Sequence, residues 1–151
     1  MQGNSQFKLD QAGLMKAAIL PIIAAAVAGA LYIVFSLWSI AGILSWVAFV
    51  FAGVWYVMTL RKAGAMPEMM GLLINGAILG AVCGLVYGVV SMITIPMGLN
   101  SALGGLGGLG LGAFGAGVGI GTVISEIIRG ALIAAGAAWL YSYLVKQGTI
   151  K

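Results

Sequence analysis

The chain has 151 residues, of which 62% are hydrophobic and only 7% charged, and its 25 glycines take the apolar share to roughly four fifths, against about 45–50% on the same count for soluble domains. Seven Lys/Arg and three Asp/Glu side chains cannot coat a water-soluble globule of this length, whereas lipid demands no such coat on the surface it faces. Soluble domains, disordered chains, collagen, coiled coils and nucleic-acid-binding domains are excluded together. The formal net charge is +4, but Lys8, Lys16, Arg61, Lys62, Arg129, Lys146 and Lys151 are scattered, which reads as membrane topology rather than as a surface for an anionic partner. With no histidine and a single cysteine, Cys83, the chain alone cannot form an internal disulfide, nor a zinc, haem or iron–sulfur site that uses several Cys or His ligands.

The first apolar run follows Lys8 and Lys16 and carries Ala-x-Ala steps at Ala24, Ala26 and Ala28, the features of a cleaved secretory signal. The apolar stretch does not stop there, so it is read as a retained span. From Leu14 to Leu60 the one charge is Lys16, and these 47 residues as a single helix would run about 70 Å, more than twice the roughly 30 Å hydrocarbon core. The run must fold back, and Ser36, Trp38, Ser39 and Gly42 mark the turn. A first span is expected over about 14–35, with Asp10 as N-cap and Pro21 as a kink, and a second over about 40–60, stopped by Arg61 and Lys62.

A third span is expected over about 67–95: Pro67-Glu68 suits a first helical turn, and Pro96 suits its end. Between Gly98 and Gly121 lie eleven glycines, each costing a helix interior on the order of 1 kcal/mol relative to alanine. Residues 97–112 therefore read as an external loop or shallow re-entrant segment, and the last span as about 117–145. A five-span alternative makes the glycine-rich stretch its own span and restarts at Ile127. Positive-inside bookkeeping favours four: Lys8, Lys16, Arg61, Lys62, Lys146 and Lys151 then share the cytoplasmic side, whereas five spans put Lys146 and Lys151 outside. The expected fold is all-α, a polytopic integral membrane protein whose single transmembrane domain is a four-helix bundle in the cell membrane with both termini cytoplasmic.

Residue rows sharpen this picture. Gly76, Gly80, Gly84 and Gly88 lie along one ridge of the third span and strip it of side chains, which predicts a close, right-handed crossing against the last or the first span. The row Ile78, Val82, Val86, Val90 is expected to face lipid. Beside the glycines run Asn75, Leu79, Cys83, Tyr87 and Ser91, a row with hydrogen-bonding groups. These either bond neighbouring helices or their own backbone carbonyls, or wall a small polar cavity or pore. On the last span Thr122, Glu126, Gly130, Ala134, Ala138 and Ser142, with Gly117, Gly121, Ser125 and Arg129 beside them, form a small and polar face. Ile124, Ile128, Leu132, Leu140 and Leu144 form an oily one. Glu126 and Arg129 are three residues apart and can pair, and ionisable residues inside a span are functional candidates.

Catalysis has little to work with: there is no histidine, there are three carboxylates, and no serine or cysteine sits in a nucleophile setting. Gly115-Ala-Gly-Val-Gly-Ile-Gly121 contains fragments of a dinucleotide fingerprint but no strand to carry it. The glycine-lined helices resemble the proteolipid subunits of rotary ATPases, yet that family needs a mid-membrane carboxylate on the second helix of a hairpin and residues 40–60 hold none. In layout, two spans, a short basic turn and a glycine-every-four span, the chain resembles small glycine-rich four-span membrane proteins of prokaryotes, a likeness that carries no active-site motif. The expected function is non-catalytic: an accessory or assembly subunit packing through glycine ridges in a larger membrane complex. The alternative is a homo-oligomeric small channel or transporter with Asn75, Tyr87, Ser91, Thr122, Glu126 and Arg129 along its path. The expected partners are the lipid bilayer and other membrane subunits or further copies of the chain, with no cofactor, metal or nucleic acid.

Overall fold

The computed structural model describes residues 11–31, 38–64, 68–102 and 111–150. Among them are four helices and no strand: α1 (Gln11–Ala30), α2 (Trp38–Lys62), α3 (Met69–Ala102) and α4 (Leu111–Lys146). Each holds a stretch long and apolar enough to cross a membrane: Gly13–Ala30, Ile43–Lys62, Met69–Thr94 and Gly119–Lys146. Glycines in the left-handed region follow two of them. Gly64 (φ 69°) follows α2 and Gly148 (φ 73°) follows α4. After α4 the Thr149 N–H donates to the Leu144 carbonyl and the Gly148 N–H to that of Val145, both at 3.1 Å, the paired bonds that satisfy carbonyls left over at a helix end. α3 begins one residue after Glu68, whose carbonyl accepts the Leu72 N–H at 3.0 Å.

The helix ends correct several expectations. α3 does not stop at Pro96 but continues to Ala102. A proline removes one backbone donor, a small loss in a 34-residue helix, and transmembrane helices tolerate it where neighbouring groups re-satisfy the backbone. α4 begins at Leu111 and runs unbroken through Ile127, so the restart of the five-span alternative is absent. The glycines of its first turns are helical, as fits a backbone that has no competing water and keeps its internal hydrogen bonds. The expected loop at 97–112 is thus helical at both ends, and 103–110 lie outside the described residues. α1 is helical to Ala30, and its expected end near 35 lies outside the described residues. Asp10 and Pro67 also lie outside the described residues.

α3 and α4 are antiparallel and share the most extensive interface; α1 packs on α2 and α3, and α2 on α4 and, less, on α3. The interior is built from Phe49, Tyr56, Val57 and Leu60 of α2, Leu72, Leu79, Cys83 and Tyr87 of α3, alanines of α1 and α4, and the polar Ser45, Asn75, Ser91, Thr94, Glu126 and Ser142. The exterior is apolar: Met15 is 74% exposed and Leu132 70%, with Ile19, Ile23, Ile43, Ile124 and Ile128 all above half. Polar groups inside and large aliphatics outside invert a water-soluble protein and fit a chain solvated by lipid.

The expected lipid row also needs correction. Ile78 and Val82 are exposed, but Val86 and Val90 are half-buried, and Val90 lies against Gly29 of α1. A four-residue step gains about 40° over a 3.6-residue turn, so the row winds inward. The positions that stay outside are Ile78, Val82, Leu85 and Val89.

Candidate functional site

The α3/α4 seam is backbone on backbone. A Cβ added at Gly80 would overlap the Gly130 carbonyl oxygen, one at Gly84 the Glu126 carbonyl oxygen, and one at Gly130 the Gly80 carbonyl oxygen. At Gly88 it would stand 2.9 Å from the Val123 Cα, and at Gly76 3.3 Å from the Ala135 Cα. α2 joins from the other side, where a Cβ at Gly53 would overlap the Ala134 carbonyl oxygen. The α3 glycines therefore face α4 of the same chain, an arrangement that brings Cα–H groups and carbonyls of the two helices together.

This seam positions Glu126. Its backbone carbonyl abuts Gly84, and its side chain is only 8% exposed. Oε1 accepts a hydrogen bond from Arg129 Nη1 at 2.7 Å. Oε2 is buried with no partner. The Arg129 side chain is 38% exposed, so the pair spans from the seam to the outer face of α4. One turn of helix fixes the geometry, since residues three apart share a face. The unit carries an acceptor, Oε2, on its inner side and guanidinium N–H donors beyond the one used, on its outer side.

The remaining sequence candidates lie along α3 and α4 on either side of it. Asn75 is buried on α3 with both amide atoms unpartnered. Ser91 is buried, and its hydroxyl donates to the Gly88 carbonyl at 2.9 Å. Tyr87 is a core aromatic, with its ring edge-to-face with Phe49 at 6.0 Å. Thr122 is half-buried, and Gly121 and Ser125, expected on the small and polar inner face, are exposed. Interior residues that the sequence reading does not single out include Ser45, Phe49, Gly53 and Thr94. Thr94 continues the Asn75–Ser91 row by a three-residue step, a signal that was available. Its Oγ1 donates to the Gly29 carbonyl at 3.1 Å.

Grooves open on the surface of the described residues. One, of about 280 Å³, lies between α1 and α2 and is lined by Ala24, Val27, Ala28, Leu31, Leu44, Val47, Ala48 and Phe51. Another, of about 360 Å³, lies between the C-terminal ends of α2 and α4 and is lined by Met58, Arg61, Lys62 and Tyr141. Among the described residues no three His, Cys, Asp or Glu side chains cluster. The chain matches no family model, no curated protein and no solved structure.

Proposed function

We propose that the chain is a multi-pass protein of the cell membrane, both termini cytoplasmic, acting as a non-catalytic accessory or assembly subunit of a larger membrane complex. The orientation rests on charge: Lys16, Arg61, Lys62 and Lys146 lie at one end of the antiparallel bundle, and the end richer in Lys and Arg is retained in the cytoplasm.

The observation that carries the subunit reading is the outer face of α4. The α3 glycines are occupied within the chain, so they are not the docking face. On α4, by contrast, Gly121 and Gly136 have nothing within 4 Å of an added Cβ. Ser125 and Leu132 are exposed beside them, and the Arg129 guanidinium emerges between them. An ionisable group emerging within an apolar stretch, flanked by open glycines, suits contact with another transmembrane helix better than contact with acyl chains.

The test is Gly136→Leu and Ser125→Leu in the protein extracted from its native membrane in mild detergent. The wild-type particle is expected to contain other polypeptides and both variants to run as the free chain. A wild-type particle of this chain alone would overturn the subunit reading. The unpartnered Asn75 amide and Glu126 Oε2 favour the second reading, an oligomeric channel or transporter, for which Glu126→Gln is expected to change ion flux in liposomes.

A further inference from the structure

The basic groove between α2 and α4 lies where the apolar part of the bundle meets its charged end. Arg61 and Lys62 close the span Ile43–Lys62 and are both exposed. They line the groove together with the half-buried Tyr141 and with Met58 on its apolar side. The Lys62 ammonium stands 5.9 Å from the Trp55 ring, and Trp139 stacks with Tyr143 at 5.9 Å on α4. Aromatic rings of this kind mark the headgroup depth of a bilayer. The exposed Lys16 and Lys146 belong to the same end, where the one described carboxylate is Glu68. A concavity at headgroup depth, with two cations and a phenol on its polar side and a thioether on the other, matches one ligand chemistry: a phosphodiester with hydrocarbon attached.

We propose that this groove binds the headgroup of an anionic phospholipid, with Arg61 and Lys62 on the phosphate, the Tyr141 hydroxyl donating to it, and Met58 against the adjoining glycerol and acyl carbons. Arginine supplies the planar fork that fits two phosphate oxygens, and lysine supplies a point charge held by Trp55. Diffuse attraction to a negative membrane would treat all cations at this end alike, whereas a site distinguishes those in the groove from those outside it. That difference is measurable.

The site rests on the reading that the four helices lie in a bilayer. The full chain, purified in mild detergent, is mixed with equal amounts of phosphatidylglycerol and phosphatidylcholine, and the retained lipids are counted by native mass spectrometry. Wild type is expected to retain phosphatidylglycerol preferentially. Arg61→Gln/Lys62→Gln should lose that preference, by roughly fivefold per cation removed, and Tyr141→Phe should lose part of it. Lys16→Gln/Lys146→Gln removes the same charge from the same end and should keep the preference. Equal loss in the two double variants, or none in either, would overturn the site. Displacement of the lipid by excess inorganic phosphate would also overturn it, in favour of a soluble anion. The four substituted cations are exposed, Tyr141 loses only its hydroxyl, and unchanged helicity checks the fold. A chain that stays in solution without detergent overturns the bilayer reading itself, whereas a detergent-dependent chain indifferent to headgroup overturns the lipid site alone.

Discussion

The α3/α4 seam and the α1/α2 pairing use the same residue classes and reach opposite results. Both present small residues at four-residue spacing: Gly76 to Gly88 facing Gly130 and Ala134 in one, Ala24 and Ala28 facing Ala48 in the other. In the seam the α3 ridge is bare backbone, so carbonyls and Cα atoms of α4 reach it even at Glu126 and Val123. Between α1 and α2, Leu44, Val47 and Phe51 stand among the alanines, and large side chains opposite small ones hold the helices apart and leave a groove of about 280 Å³. A small-residue repeat specifies close approach only when no large side chain stands among the small ones.

The contrast breaks most directly with one leucine on each side. Gly84→Leu would drive a side chain into the Glu126 carbonyl, and since overpacking a full site typically costs 1–3 kcal/mol, a clash with backbone should exceed about 3 kcal/mol. Ala24→Leu enters a groove with room for it and should cost less than about 1 kcal/mol. Reversible unfolding in mixed dodecylsulfate micelles, followed by tryptophan fluorescence, measures both. Equal losses would mean that the seam is no tighter than the α1/α2 pairing.

The next largest effect concerns the charge pair anchored on the seam. Arg129→Leu leaves the Glu126 carboxylate, 8% exposed, with both oxygens unpartnered, and an orphaned buried acceptor costs about 1–3 kcal/mol, more when charged. Arg129→Leu combined with Glu126→Gln should recover most of that loss in the same unfolding assay. If the single variant is as stable as wild type, the ion pair contributes nothing and its role lies outside folding.

What the sequence made legible follows the same line between seam and surroundings. Gly76, Gly80, Gly84 and Gly88 announced their ridge because four identical residues at one spacing have a single geometric meaning on a helix. The Glu126 and Arg129 pairing was visible for the same reason, as a local relation three residues apart. Gly53 was not, because one glycine in a span carries no period, and only the approach of α4 to α2 gives it a task. The helix ends failed where local propensity was weighed as in water: Pro96 and the glycines after Leu111 are poor helix residues there, and a backbone with no water to bond remains helical through them. Val90 leaves the outer face because a four-residue row drifts by about 40° at each step around the helix.

Asn75 sharpens the comparison from inside the bundle. Its amide is 1% exposed with neither atom bonded, whereas the polar groups of Ser91 and Thr94, farther along α3, all find carbonyls. Asn75→Leu has a similar volume and no amide to desolvate, so it should raise stability by about 1 kcal/mol. A loss instead would show that the amide has a partner in the membrane-embedded protein.

The smallest effect tests what holds α1 to α3. Thr94 Oγ1 donates to the Gly29 carbonyl at 3.1 Å and also lies 3.3 Å from the Ser91 carbonyl of its own helix. The carbonyl is in reach because position 29 has no side chain: a Cβ there would meet the Val90 Cβ at 3.0 Å. Thr94→Val keeps the shape and removes the donor, so it isolates the hydrogen bond from the packing. Hydrogen bonds between transmembrane helices average about 0.6 kcal/mol because each freed group finds another partner; here the bond is also shared, so the loss should fall at or below about 0.6 kcal/mol. Gly29→Ala, which needs Val90 to give way, should cost more than Thr94→Val if close approach governs this contact as it does the seam. The reverse order would mean that α1 is held by its hydrogen bond, and that close approach governs the α3/α4 seam alone.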